Sequence, residues 1–242
     1  MNFLGSLWNN RAAFAVLESM ILWSAVTIAF YLFAKRFYRR WPRWWTAPLV
    51  VTPLLLIVVT ITSHTSYSVY INGTHWLITL LGPATVAFAV PIYKQRHVIR
   101  RHWLILAIGV LVGSGTAMVS AWGLATMLGL EGSLRLSLLP RSISTPFAMT
   151  VSGEIGGVPE LTAVFVILTG VFGATFGESM LYWMPLRSAL ARGSLFGMGA
   201  HAVGSNKAHQ INRDEGAIAG LVMVLAGVFN VLAAPLLAHF LR

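Results

Sequence analysis

Long apolar runs almost free of charge alternate with dense basic clusters in this chain, and that pattern leaves few folds open to it. Runs such as 14–34, 102–128 and 217–241 match the length of about 20 residues that an α-helix needs to cross a bilayer's hydrocarbon core. They are continuous rather than alternating, which argues against a transmembrane β-barrel. Of 242 residues, 57% are hydrophobic and only 10% charged, so a second, soluble domain has no room. The expected fold class is an all-α polytopic membrane protein with about six to eight membrane segments, several of them broken or re-entrant.

The net charge of +10 is concentrated. Lys35, Arg36, Arg39, Arg40 and Arg43 form one cluster, and Lys94, Arg96, Arg100 and Arg101 a second, each following an apolar run. Basic residues so placed are topology signals that stay on the cytoplasmic side. A nucleic-acid surface would need a soluble basic domain, and none accompanies the charge. With both clusters inside, the N-terminus, the 63–75 loop, Glu131 and the C-terminus are expected outside. The chain has no cysteine, which excludes disulfides, thiolate metal sites and cysteine catalysis. Residues 1–11 carry Asn2, Trp8, Asn9 and Asn10 without a small-residue cleavage site, and read as a retained N-terminus rather than a signal peptide.

The spacing predicts membrane segments over 14–34, 46–62, 74–93 and 102–128, the third interrupted by Gly82-Pro83 and Pro91. After a short loop containing Gly129, Gly132 and Ser133 come a broken segment over 138–152, a span over 161–176, a mixed glycine-rich stretch over 184–208 and a last span over 217–241. One membrane domain over 1–242 is expected, divisible into halves 1–128 and 129–242, each with about four elements and interruptions. Paired interruptions of that kind are the pattern of two-repeat transporters. If 138–152 crosses fully, Arg187 and Arg192 fall outside; if it re-enters, they fall inside, as the charge rule prefers. Re-entrant elements are therefore expected around 140–146 and 197–205. Gly109 with Gly113, Gly173 with Gly177, Gly193 with Gly197 and Gly216 with Gly220 stand at the spacing that permits close helix packing.

The run Leu139-Pro140-Arg141-Ser142-Ile143-Ser144-Thr145-Pro146 sets an arginine and hydroxyls between two prolines. A guanidinium at bilayer depth is tolerated only inside protein or beside a wet cavity, and its planar fork grips a carboxylate through paired hydrogen bonds. The bland alternative is an arginine that snorkels to the interface. Ser142, Ser144 and Thr145 can hold the remaining oxygens. Leu81-Gly82-Pro83-Ala84-Thr85 offers either a half-helix end with Thr85 beside it, which would favour an anion, or a plain proline kink. The third polar stretch, Gly197 to Lys207, supplies His201, Ser205 and Asn206, with His201 able to titrate near neutral pH. His201 and Glu154 are the expected proton-coupling residues; Glu160, after Pro159, is expected in a helix's first turn. Gly113-Ser114-Gly115 faintly resembles intramembrane serine proteases, with His201 as a conceivable base, but Val112 stands where the fuller pattern has glycine. No H-E-x-x-H is present, and neither catalysis, a metal nor a cofactor is expected.

Several runs together resemble the LrgB/CidB family: Leu80-Leu81-Gly82-Pro83-Ala84-Thr85-Val86-Ala87, Leu139 to Met149, Gly156-Gly157-Val158-Pro159, Leu161-Thr162-Ala163-Val164, Ala191-Arg192-Gly193, the His201 region and Glu215-Gly216-Ala217. The likeness covers nearly the whole chain in order. It implies a multi-pass protein of the bacterial inner membrane, often acting with a small LrgA/CidA-like partner. Two functions attach to the family: holin- or antiholin-like control of murein hydrolases and lysis, and transport of small monocarboxylates of the pyruvate, glycolate and glycerate type. Arg141 stands where the family is usually basic, often with lysine. Ala200, Ser205 and Asn206 replace a serine, a threonine and a small residue common around the family's histidine, and Glu160 replaces a small residue.

The sequence reading is thus a secondary carrier of a small carboxylate in contact with lipid, alone, as a homo-oligomer or with an LrgA/CidA-like partner. Arg141, Ser142, Ser144, Thr145, Thr85, His201, Ser205 and Asn206 are its expected binding residues. The alternative is a holin- or antiholin-like membrane protein.

Overall fold

The computed structural model describes the backbone of residues 3–241 and the side chains of 17–43 and 45–240. The side chains of 1–11, which suggested a retained N-terminus, lie outside that set. Among the described residues every regular element is helical. Five helical stretches among the described residues are long and apolar enough to cross a membrane, and a shorter apolar helix covers Pro48–Thr62. The chain forms two compact units, one ending at Pro83 and the other beginning at Ala84.

In the first unit, α1 (Phe3–Arg40) ends in Arg39 and Arg40, cations that complement the carbonyl end of the helix. A short turn at Trp44–Thr46 leads into α2 (Pro48–Thr62), which opens on a proline whose missing N–H costs nothing there. The third helix, α3 (Tyr67–Thr79), packs on α1 at Gly73, where a Cβ would lie 2.9 Å from the Ser19 carbonyl oxygen. Ser24 Oγ donates to the Gly73 carbonyl at 3.3 Å and accepts from Trp76 Nε1 at 2.7 Å. Small residues that admit a backbone, and hydroxyls that bond across helices, replace the hydrophobic effect that lipid does not supply.

The interruption expected near Gly82-Pro83 takes the form of kinks. The joints between α3, α4 (Leu81–Ala87) and α5 (Ala89–Lys94) are Leu80 and Phe88, and both keep right-handed helical angles. Pro83 falls in the first turn of α4, where proline breaks no intrahelical bond. Thr85 is half-buried within this helix rather than at a free half-helix end.

Four spans and turns of the second unit set the stage for two helical hairpins. α6 (Arg96–Met127) carries the chain away from the second basic cluster. Next come α7 (Gly132–Leu138), a 3-10 turn at Leu139–Ser142 and α8 (Thr145–Ile155). Gly156 closes α8 in the left-handed conformation, φ 89°, and turns the chain back on its origin. Ser137 then lies beside residues that follow it by twenty or more: its Oγ accepts from Val158 N at 2.8 Å, and its carbonyl from Thr162 Oγ1 at 3.0 Å. Thr162 Oγ1 also lies 2.7 Å from Ser152 Oγ. The chain has gone in and come out on the same side. The depth is set by α8, about 16 Å for 11 residues and so roughly half a bilayer core.

The second hairpin is folded within α10 (Ala189–Ile211), which breaks at His201 with φ 40° and ψ −122°. A Cβ on Gly204 would press into the Phe196 carbonyl oxygen and come within 2.8 Å of the Ala200 Cβ. In a straight helix Phe196 and Gly204 would be about 12 Å apart. The two arms, before and after His201, therefore run antiparallel.

Contacts along α9 (Pro159–Trp183) order these parts. Its start holds the mouth of the first hairpin through Thr162. Further along, Gly170 faces His201, Gly173 the Gly199 carbonyl, and Gly177 the ring of Phe196. Glu178 reaches Lys207 of the second arm at 2.8 Å. The hairpins thus enter from opposite ends of α9. α11 (Arg213–Leu241) repeats the order in reverse. Its start packs on the second hairpin, with Gly193 against the Glu215 carbonyl and Gly197 against the Ala219 carbonyl, and its Gly227 receives Phe147 from the tip of the first. Hairpin and span, hairpin and span: the two pairs, 132–183 and 189–241, have opposite orientation. Ile218 belongs to a hydrophobic cluster against which Ile92, Val98, Ile99, Ala189 and Leu190 pack, so the mouth of the second hairpin shares a face with the basic cluster at Lys94–Arg101.

Candidate functional site at the hairpin tips

The Leu139–Ser142 turn touches both α9 and α10, so the first hairpin's tip reaches the two elements that carry His201 and its bed. Each tip is also a helix N-terminus. α8 starts at Thr145, and the returning arm of the second hairpin starts after His201. The first turn of any helix has N–H groups without intrahelical acceptors and a positive dipole end, so both tips favour negative charge.

Polar side chains at these tips are buried without partners. Ser144 is 2% exposed, His201 2% and Ser205 8%; Ser144 Oγ, His201 Nε2 and Ser205 Oγ have no hydrogen-bond partner. Ser144 occupies the N-cap position of α8 yet its side chain does not cap. Orphaned groups of this kind cost about 1–3 kcal/mol each, which the fold tolerates where a ligand completes them. Arg141 is half-buried; its Nη1 lies 3.4 Å from Ser142 Oγ, and no carboxylate pairs with it among the described residues. A guanidinium, two helix N-termini, two free hydroxyls and an imidazole nitrogen together suit a small oxyanion that also carries hydrogen-bonding groups.

The other expected residues divide. Ser142 and Thr145 are half-buried within the first tip. Asn206 is exposed, because one helical step from Ser205 turns it away. Glu154 is exposed on the last turn of α8, and Glu160 does sit in the first turn of α9. Asn230 and Ser114, not singled out for binding from sequence, meet nearby: Asn230 is 1% exposed and its Nδ2 donates to Ser114 Oγ at 2.9 Å and to the Ala226 carbonyl at 2.7 Å. The signal was present, since Asn230 is the one strongly polar side chain between Glu215 and His239. This bond engages the Ser114 hydroxyl with an amide rather than with His201, so no serine–histidine pair forms. Among the described residues no three His, Asp or Glu side chains converge as metal ligands. Surface concavities of about 350 and 540 Å³ lie beside Arg96 and Arg100 in the second unit and beside Arg36 and Arg40 in the first.

His201 holds a backbone conformation that a Cβ disfavours. Its ring reaches the Val166 backbone and fills the space left by Gly170, where a Cβ would lie 2.6 Å from Cε1. Comparing His201→Gly with His201→Ala isolates the backbone cost, because both remove the ring. The glycine variant is expected to be the more stable by about 1 kcal/mol, the reverse of the usual helix order. Thermal unfolding in detergent measures the difference.

Comparison with known proteins agrees with this geometry's membrane character. The model of the LrgB-like family matches residues 27–240. The chain is 40% identical to Uncharacterized protein YwbG of Bacillus subtilis over 216 residues, 89% of this chain and 96% of the relative. It is 30% identical to Holin-like protein CidB of Staphylococcus aureus over 217 residues, 90% of this chain and 95% of the relative. No solved structure matches. With the family model and full-length relatives in agreement, the chain belongs to the LrgB-like family of membrane proteins.

Proposed function

We propose that this protein is a secondary carrier of small monocarboxylates of the glycolate, glycerate and pyruvate type, working by alternating access. The observation that carries the reading is the pair of opposed hairpins whose tips carry half-buried Arg141 and, among the described residues, the buried and unserved Ser144 Oγ, His201 Nε2 and Ser205 Oγ. Discontinuous helices whose N-termini meet near mid-membrane are how repeat-built carriers hold an anion. Arg141 takes the carboxylate. Ser144 and Ser205 supply hydrogen bonds, with Ser142, Thr145 and Thr85 as secondary contacts.

The charge distribution supports an orientation in the bacterial inner membrane. The second hairpin's mouth carries Arg187, Arg192, Lys207 and Arg213 on the face shared with Lys94–Arg101, whereas Glu131, Glu154 and Glu160 flank the first. By the positive-inside rule the second hairpin opens to the cytoplasm and both termini lie outside.

The name of the Staphylococcus aureus relative favours a second reading, a holin-like protein acting on lysis alone or with an LrgA/CidA-like partner. Proteoliposome uptake separates the two. The carrier gives saturable glycolate uptake that glycerate and pyruvate compete away. Non-saturable leakage of unrelated solutes, with no competition, establishes the holin-like reading instead.

A further inference from the structure

The second hairpin is pinned at its mouth by two ion pairs, one on each arm. On the returning arm, Lys207 Nζ lies 2.8 Å from Glu178 Oε2 of α9, and the Glu178 side chain is half exposed. On the entering arm, Arg192 Nε lies 3.2 Å from Glu215 Oε1 of α11. The second pair differs in its surroundings. Glu215 is 5% exposed, its Oε2 has no hydrogen-bond partner, and Arg192 Nε, although close, is not aligned to donate. A buried carboxylate with one oxygen unserved calls for a ligand, and the proton is the smallest that completes it.

The neighbours of Glu215 are the hairpin itself. Its carbonyl oxygen lies where a Cβ on Gly193 would come within 2.6 Å, and His209 of the returning arm packs on Gly216. The charged or titratable side chains on the elements packed there are Arg192, Lys207 and His209 of α10, Arg213 and Asp214 of α11, Lys94 of α5, and Arg96, His97, Arg100, Arg101 and His102 of α6. Of these, Arg192 is the one in ion-pair contact with Glu215, and Lys207 is taken by Glu178.

We propose that Glu215 is the proton-coupling site of this carrier, in place of His201 or Glu154; the assignment rests on the carrier reading. The ionised carboxylate holds Arg192 and with it the entering arm against α11. A proton from water on one side binds Oε2, the carboxylate becomes neutral, and Arg192 is released beside Gly193, where the entering arm meets the backbone of α11. The proton leaves to water on the other side when the pair re-forms. One carboxylate anion with one proton moves no net charge, so accumulation follows the pH gradient and not the membrane potential.

The test compares wild type, Glu215→Gln and Glu215→Asp in proteoliposomes with radiolabelled glycolate. Two quantities are measured: exchange at equal pH on both sides, which needs binding and alternation only, and net accumulation under an inward proton gradient. With one pH unit, one-proton coupling drives about tenfold accumulation in wild type. The Gln variant is expected to exchange glycolate but only to equilibrate with the outside concentration; the Asp variant is expected to accumulate. Accumulation by the Gln variant overturns the proposal, and so does loss of exchange together with accumulation, which marks Glu215 as structural. Wild type that exchanges none of glycolate, glycerate or pyruvate removes the carrier reading and this site with it.

Discussion

Arg141→Ala is expected to abolish saturable carboxylate uptake while leaving the fold intact. The guanidinium is half-buried at the first hairpin's tip and makes only a long contact, 3.4 Å, with its neighbour Ser142. Truncation therefore removes little from the protein itself. It removes what is, among the described residues, the one cation at the tips, in surroundings where water screens poorly. Losing charge-assisted hydrogen bonds to a carboxylate costs about 3 kcal/mol, on the order of a hundredfold in affinity. Arg141→Lys keeps the charge but not the fork, and the loss is then nearer about tenfold. Initial uptake rates against glycolate concentration, beside thermal unfolding of the same samples, check both halves. Equal saturable uptake by wild type and Arg141→Ala would sink the assignment.

The largest effect on the fold is expected from Gly204→Val. Gly204 sits where the returning arm crosses the entering one, and any Cβ there meets the Phe196 carbonyl oxygen and the Ala200 Cβ. Backbone cannot move aside as the end of a flexible side chain can. The arms must part, with a cost of about 3 kcal/mol or more and loss of the tip geometry. Gly199→Ala is the control from the same hairpin. A Cβ at Gly199 meets nothing within 4 Å, and alanine is the better helix former by about 1 kcal/mol. Gly204→Val should therefore give a low yield of monodisperse protein and a lowered unfolding temperature, while Gly199→Ala matches wild type. Equal behaviour of the two variants would argue against an antiparallel hairpin.

Much of the candidate site was readable from residue type and local context. A proline-flanked arginine and a glycine-rich polar run have no reason to occur in lipid-facing helix, and both fall at tips. Ser144, His201 and Ser205 followed from the same logic. Of the two readings that the glycine-proline context left open at Thr85, the plain kink is the one seen, because Pro83 falls in a helix's first turn, where it does not open the backbone. Asn206 looked equivalent to Ser205, but adjacent residues point about 100° apart on a helix, and only packing decides which faces inward. The Ser114–Asn230 bond joins residues 116 positions apart, a distance at which no local rule operates. Glu215 stood only in a run that carries the family resemblance, and Arg192 there and as a topology charge; their pairing needs α11 laid beside the hairpin.

The amino-acid sequence alone determined the solvent of this protein, its helical class, where its spans run and which stretches could not be plain spans. Those follow from transfer free energy and backbone hydrogen bonding, which are local and additive along a chain. Re-entrance at the two polar stretches was an expectation from charge; only the tertiary structure decided that the hairpins enter from opposite ends of α9, and which hydroxyls, charges and glycines meet there. That depends on contact between segments distant in sequence. A missing Cβ at Gly204, Gly193 or Gly227 acts only through the atom that comes to rest against it.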